Sequence, residues 1–218
     1  EAYIRRLDKY PPLALEDQRM RAALDRIFFA VQQDQEGYGH AVYQSKAFAG
    51  GEPVLLCLGD HLFRGRNGAC HSQLMQAYDE CGGKSVSAVN RIQAGELKGY
   101  GTIAGRRRQA KPDLIDVSLI IEKPSIEVAR KELRVDGLEA DEFLGWFGMH
   151  ALSPSIYDVL EEMIARDIRQ KGEFQLTYAQ ELQRQREGYC ALEMRDGRRF
   201  DFGVPQDFVK SVAEFAAA

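Results

Sequence analysis

The chain has 218 residues, 44% of them hydrophobic and 28% charged, with a formal net charge of -4. These values suit one globular domain and argue against a nucleic-acid surface or a basic membrane anchor. No apolar run approaches the twenty or so residues that span a bilayer, and the four cysteines show no CxxC spacing, so free thiols, a cytoplasmic setting and no zinc are expected.

In chain order, residues 2–9 read as the end of a helix stopped by Pro11-Pro12, and residues 16–26 as a short charged helix. The apolar run Ile27 to Val31 reads as a buried strand. Gly37-Tyr38-Gly39-His40 leads into an Ala-containing helix, and residues 53–58 form the next buried strand, ending at Gly59-Asp60. A helix over 70–81 and a strand over 85–91 follow. Further strands are expected at 99–104, 115–122 and 143–150, with a surface loop carrying three arginines at 105–113. Helices are expected after Ser153-Pro154, over 177–186 and over 205–216, and Asp196-Gly197 signals a hairpin within 189–202. Alternating buried strands and helices predict a Rossmann-like α/β fold, a mostly parallel sheet flanked by helices.

Sites in such sheets lie beyond the carboxyl ends of strands, which singles out Gln32, Asp60 and Glu122. The Gln32 amide offers a donor and an acceptor together, suiting the imide edge of a pyrimidine, and Gly37 and Gly39 let backbone approach a flat ring. Asp60 is either a helix cap or a ligand for a hard cation such as Mg²⁺, for which Asp201 is the candidate second acid. Asp201 reads equally as a cap for the last helix. Glu122 could accept from sugar hydroxyls and Lys123 could neutralise a phosphate, or the two could be a plain surface pair. Both serve one pocket only if the strand bends at its end or the lysine reaches around.

Gly37-Tyr38-Gly39-His40-Ala41-Val42, Leu58-Gly59-Asp60, Tyr100-Gly101, Ile121-Glu122-Lys123-Pro124, Gly172-Glu173-Phe174-Gln175-Leu176-Thr177 and Phe200-Asp201-Phe202-Gly203 occur in this order. The series resembles the bacterial UTP–glucose-1-phosphate uridylyltransferases, whose usual pattern is GLGHAV, L(P/G)D, YG, EKP, (D/G)EIQLTD and a late D-x-G. The stretch from Gly59 to Phe63 is also similar to the thymidylyltransferases that act on glucose-1-phosphate.

The resemblance implies that UTP and glucose-1-phosphate give UDP-glucose and pyrophosphate, with Asp60 and Asp201 holding Mg²⁺. It implies Gln32 and Gly37 at the pyrimidine, Gly101, Glu122 and Glu173 at the sugar, and Lys123 at its phosphate. The histidines at 40, 61, 71 and 150 need no catalytic role in that chemistry. His61 and Tyr178 stand where relatives often carry other residues. The family's opening strand and GGxGTR-type loop do not occur in this sequence. The expectation is therefore an N-terminally incomplete single domain that self-associates through exposed apolar surface. The other readings are a loop supplied by another chain, or a non-catalytic sugar-nucleotide-binding relative.

Overall fold

A computed structural model describes residues 10–66 and 68–217, in two compact units, Glu1–Gln33 and Asp34–Ala218. The helix expected at 2–9 lies outside the described residues. In the first unit, α1 (Pro11–Leu24) begins at the two prolines. They start this helix, because proline lacks the N–H that the first turn leaves unpaired anyway. Residues 27–31 form no strand: they have no regular secondary structure, and Phe29 is 78% exposed. An apolar run becomes a buried strand only where other strands pair with its edges, and among the described residues no strand pairs with 27–31.

The second unit holds α2 (Tyr38–Tyr43), α3 (Lys46–Ala49), β1 (Val54–Cys57), β2 (His61–Gly65), α4 (Cys70–Glu80) and β3 (Val86–Gln93). A 3₁₀ helix (Ala94–Gly99) leads to β4 (Gly101–Arg108), β5 (Lys111–Glu122), α5 (Ile126–Glu132) and β6 (Glu142–Leu152). The chain continues through α6 (Ser155–Ala165), α7 (Leu176–Glu187), β7 (Cys190–Glu193), β8 (Gly197–Asp201) and α8 (Pro205–Ala216). Among the described residues, no helix is long and apolar enough to cross a membrane.

Six strands form one sheet in the order β1-β6-β3-β7-β5-β4, with β4 also touching β6. The α/β class with flanking helices holds, but the strand directions do not match a mostly parallel sheet. Among the described strands only β3 and β7 run parallel; the other pairs are antiparallel. Helices on both faces make a strand apolar throughout whatever its direction, so the buried runs carried no information about direction. β6 is buried from Phe143 to Leu152. Its Leu144, Trp146 and Leu152 join the core under α6 and α7, while Phe147, Met149 and Ala151 face the core under α4. This is the two-residue period of a strand covered on both sides.

Two loop expectations also change. Residues 105–113 are mostly strand, and Arg107 pairs with buried Glu193 at 2.5 Å while Arg108 pairs with Asp116 at 2.7 Å. Asp196-Gly197 does not close a hairpin of β7 on β8. Both edges of β7 are taken, by β3 and β5, so β8 pairs instead with β2 in a separate two-stranded sheet.

Candidate functional site

The β2–β8 pairing assembles the acid pair. β1 ends at Cys57, Leu58-Gly59-Asp60 makes the turn, and the β2–β8 register sets His61 opposite Asp201. The Phe202 amide donates to the Asp60 carbonyl at 2.8 Å, carrying the pairing one step further. His61 Nε2 lies 3.1 Å from Asp201 Oδ2 and 3.9 Å from Asp60 Oδ1. One ligand atom from each of Asp60, His61 and Asp201 falls within 4.8 Å of the others. Asp60 is exposed and His61 nearly buried.

Burial first, and Arg199 second, push the His61 pKa down against the opposing pull of the two carboxylates. Burial alone would raise Asp201, but the Gly203 amide, donating at 2.9 Å, together with His61 and Arg199 holds it below the usual carboxylate range. Two carboxylates, one open to solvent, fit a hard cation, which prefers oxygen ligands. His61 adds a nitrogen that the sequence reading left without a role.

Beside this group lies a cavity of about 370 Å³, lined by Tyr38, Gly101, Glu122, Lys123, Trp146, Thr177, Arg199 and Asp201 among others. The β4–β5 register sets Gly101 opposite Glu122. A Cβ on Gly101 would lie 2.4 Å from Trp146 Nε1 and 2.9 Å from Glu122 Oε2, so only glycine fits without displacement. The Thr177 hydroxyl donates to Glu122 Oε2 at 2.7 Å, fixing the carboxylate. Lys123 adopts a left-handed backbone, φ 47°, while its amide donates to the Tyr100 carbonyl at 3.1 Å. That bend is how two successive side chains come to line the same cavity.

Sequence reasoning missed Arg199. Its guanidinium sits 4.8 Å from the centre of the Tyr100 ring, donates to the Tyr100 hydroxyl and donates to the Trp146 carbonyl at 3.2 Å. The available signal was its place two residues before Asp201 on one strand, which puts both on one face.

Gln180 and His150, which also line the cavity, belong to a neutral, buried hydrogen-bonded group. Ser87 Oγ lies 2.6 Å from His150 Nδ1 and 2.7 Å from the Tyr189 hydroxyl. Gln180 Nε2 lies 3.0 Å from each of His150 Nδ1 and the Tyr189 oxygen. Burial pushes the His150 pKa down to about 4, so the ring is neutral at pH 7 with Nδ1 as an acceptor. Trp146 stands edge-on to it, ring centres 5.5 Å apart.

The remaining sequence candidates lie elsewhere. Gly37, φ 107°, abuts Glu173: a Cβ on the glycine would meet the Glu173 Cβ at 2.8 Å. The Phe174 amide donates to the Glu36 carbonyl and the Gly39 amide to the Phe174 carbonyl, both at 2.8 Å. The two motifs therefore pack on each other, yet neither Gly37 nor Glu173 lines the cavity; their neighbours Tyr38 and Thr177 do. Burial, then Cys57 and Asp60, pushes the Tyr38 pKa up. Gln32 belongs to the first unit, and the acid pair and the cavity belong to the second.

No protein-family model matches the chain. It is 31% identical over 202 residues, 93% of its length, to UTP–glucose-1-phosphate uridylyltransferase 1 of Staphylococcus saprophyticus, and covers 64% of that protein. A UTP–glucose-1-phosphate uridylyltransferase 1 of Streptococcus pyogenes is 31% identical over 193 residues, 87% of this chain and 58% of that one. The chain thus spans under two thirds of the length of these curated relatives. Among solved structures, an apo UDP-glucose pyrophosphorylase matches with TM-score 0.74 and 23% identity, over 94% of this chain and 69% of that chain. A UTP-bound enzyme of the same kind from Acinetobacter baumannii matches with TM-score 0.68 and 21% identity, over 93% and 68%. These likenesses establish the fold as that of the UDP-glucose pyrophosphorylases.

Proposed function

Since the chain is a homologue of the bacterial UTP–glucose-1-phosphate uridylyltransferases, we propose that it serves a Mg²⁺-dependent nucleotidyltransferase that makes UDP-glucose in the cytoplasm. One observation carries this reading. Asp60 and Asp201, distant in sequence, lie within reach of one ion, beside a cavity lined by Glu122 and Lys123.

In this reading a sugar-1-phosphate oxygen attacks the α-phosphorus of UTP, the bond from that phosphorus to the bridging oxygen breaks, and pyrophosphate leaves. The attacking phosphate is already an anion near neutral pH, so no general base is required. The demand on the protein is to hold two polyanions together, which is work for cations and positioning. Bound to Asp60 and Asp201, Mg²⁺ would supply positive charge to phosphate oxygens. Lys123 Nζ holds the sugar phosphate, and Glu122, fixed by Thr177, accepts from ring hydroxyls. Gly101 leaves the space that lets Trp146 and Glu122 meet at the cavity. His61 steadies the Asp201 carboxylate. Gln32 and Gly37 are assigned to the pyrimidine and Glu173 to the neighbourhood of the sugar, on the resemblance of their motifs.

The test is pyrophosphate release by the full-length protein supplied with UTP and glucose-1-phosphate. Turnover that stops on removing Mg²⁺ supports the assignment. Faster turnover with dTTP would move it to a thymidylyltransferase, and no turnover with either nucleotide would overturn it.

A further inference from the structure

We infer that Trp146 and Gln180 are specificity-determining residues that hydrogen-bond hydroxyl groups of the sugar ring; this rests on the uridylyltransferase reading and deepens it. Both residues line the 370 Å³ cavity, Trp146 from the centre of β6 and Gln180 from α7. Gln180 is wholly buried and Trp146 is 8% exposed. Each keeps one buried polar atom without a hydrogen-bond partner, the indole Nε1 and the amide Oε1.

Buried polar atoms in folded proteins are nearly all paired, and an unpaired one costs roughly 1–3 kcal/mol. Three residues that line this cavity carry such an atom: His61 Nδ1 belongs to the acid group, and the other two, Trp146 Nε1 and Gln180 Oε1, are accounted for if a ligand completes them. Gln183 Oε1, also buried and unpaired, does not line this cavity, so the inference does not extend to it.

The chemistry of the pair selects the ligand group. An indole N–H only donates and an amide oxygen only accepts, and a hydroxyl answers both. A fully ionised phosphate cannot donate to Gln180. The Gln180 amide is held by its other end, through Nε2, on His150 and Tyr189. Turning it over would exchange the two atoms and leave an N–H aimed the same way, which a hydroxyl also satisfies. Gly101 and Glu122 bracket the indole edge, so a ring whose hydroxyls reach Glu122 is within the neighbourhood of Nε1.

The experiment measures binding of UDP-glucose and its four monodeoxy-sugar analogues to the full-length protein, to Gln180→Met and to Trp146→Phe, by calorimetry. Thermal melts confirm that each variant is folded, and the second variant stands if the first is not. Loss of a hydroxyl from a site built to bind it leaves protein groups unpaired, so at least one analogue should bind wild type roughly thirtyfold more weakly than UDP-glucose. That penalty should fall to about threefold or less in a folded variant, a change that a merely structural role would not produce. Equal binding of all analogues by wild type, or penalties unchanged in the variants, would overturn the inference while leaving the proposed function intact. Failure of wild type to bind UDP-glucose at all would overturn the proposed function itself, and this inference with it.

Discussion

The two-stranded β2–β8 sheet and the cavity wall built from β6 and α7 meet where Arg199 donates to the Trp146 carbonyl, yet their chemistry is opposite. The first presents ionised groups to solvent, with Asp60 exposed and Asp201 held ionised by the Gly203 amide, His61 and Arg199. The second is closed and neutral, with His150 kept uncharged by burial and tied to Ser87 and Gln180. A charged ligand group is met where water and a cation can share its charge, while a neutral hydroxyl-bearing ring is met where unpaired atoms are costly and so discriminating. One small cavity can thereby treat the two ends of a sugar phosphate differently.

The largest expected effect breaks the charged half. Asp60→Asn or Asp201→Asn should lower kcat for pyrophosphate release by about a thousandfold, the scale of several kcal/mol of charge stabilisation. Steady-state rates at saturating Mg²⁺ check this, and near-normal rates in either variant would remove the acid pair from the chemistry.

The next effect belongs to the neutral half and appears in stability. The unfolded chain protonates His150 near 6.5, whereas the folded one does so only near 4. Stability is therefore whole above 6.5, falls by on the order of 3 kcal/mol as pH drops from about 6.5 to 4, and declines no further below that on this account. His150→Asn keeps an acceptor and removes the titration, so denaturant unfolding at pH 7 and pH 4 should show a smaller difference than in wild type. An equal difference would show that His150 does not carry the acid sensitivity.

The smallest effect sharpens the boundary between the halves. Lys123→Gly retains the left-handed backbone, which glycine adopts without strain, and removes the side chain with its ammonium group. Glucose-1-phosphate affinity should fall by about tenfold to a hundredfold, the worth of a hydrogen bond to a charged group, with unfolding stability no lower than wild type. Unchanged affinity would take the sugar phosphate away from Lys123.

The same contrast explains what was legible in the sequence. Asp60, Gly101, Glu122, Lys123 and Asp201 stand at strand ends or turns, where an acid, a base or a glycine is conspicuous against an apolar run, and the structure brings all five around one site. Trp146 and Gln180 sit in the middle of a buried strand and a helix, where an aromatic ring or an amide reads as ordinary core. Their unpaired atoms become visible only when β3, β6 and α7 are packed together. His61 and Arg199 were hidden for a related reason, since the partner of His61 comes from the far strand of β2–β8 and those of Arg199 are Tyr100 and Trp146, far off in sequence.

The misread elements follow suit. Ile27 to Val31 has the apolarity of a strand but pairs with no strand among the described residues, and strand direction in the main sheet leaves no trace in a run buried on both faces. Asp196-Gly197 does mark a turn, but which strands it would join depended on the edges of β7 already being taken.

Mn²⁺ titration of the full-length protein in the presence of UDP-glucose, followed by electron paramagnetic resonance, tests most directly whether Asp60 and Asp201 act on one ion. One tightly bound Mn²⁺ per chain in wild type, weakened by about tenfold or more in Asp60→Asn and equally in Asp201→Asn, is the predicted result. Wild-type Mn²⁺ affinity in both variants would contradict it.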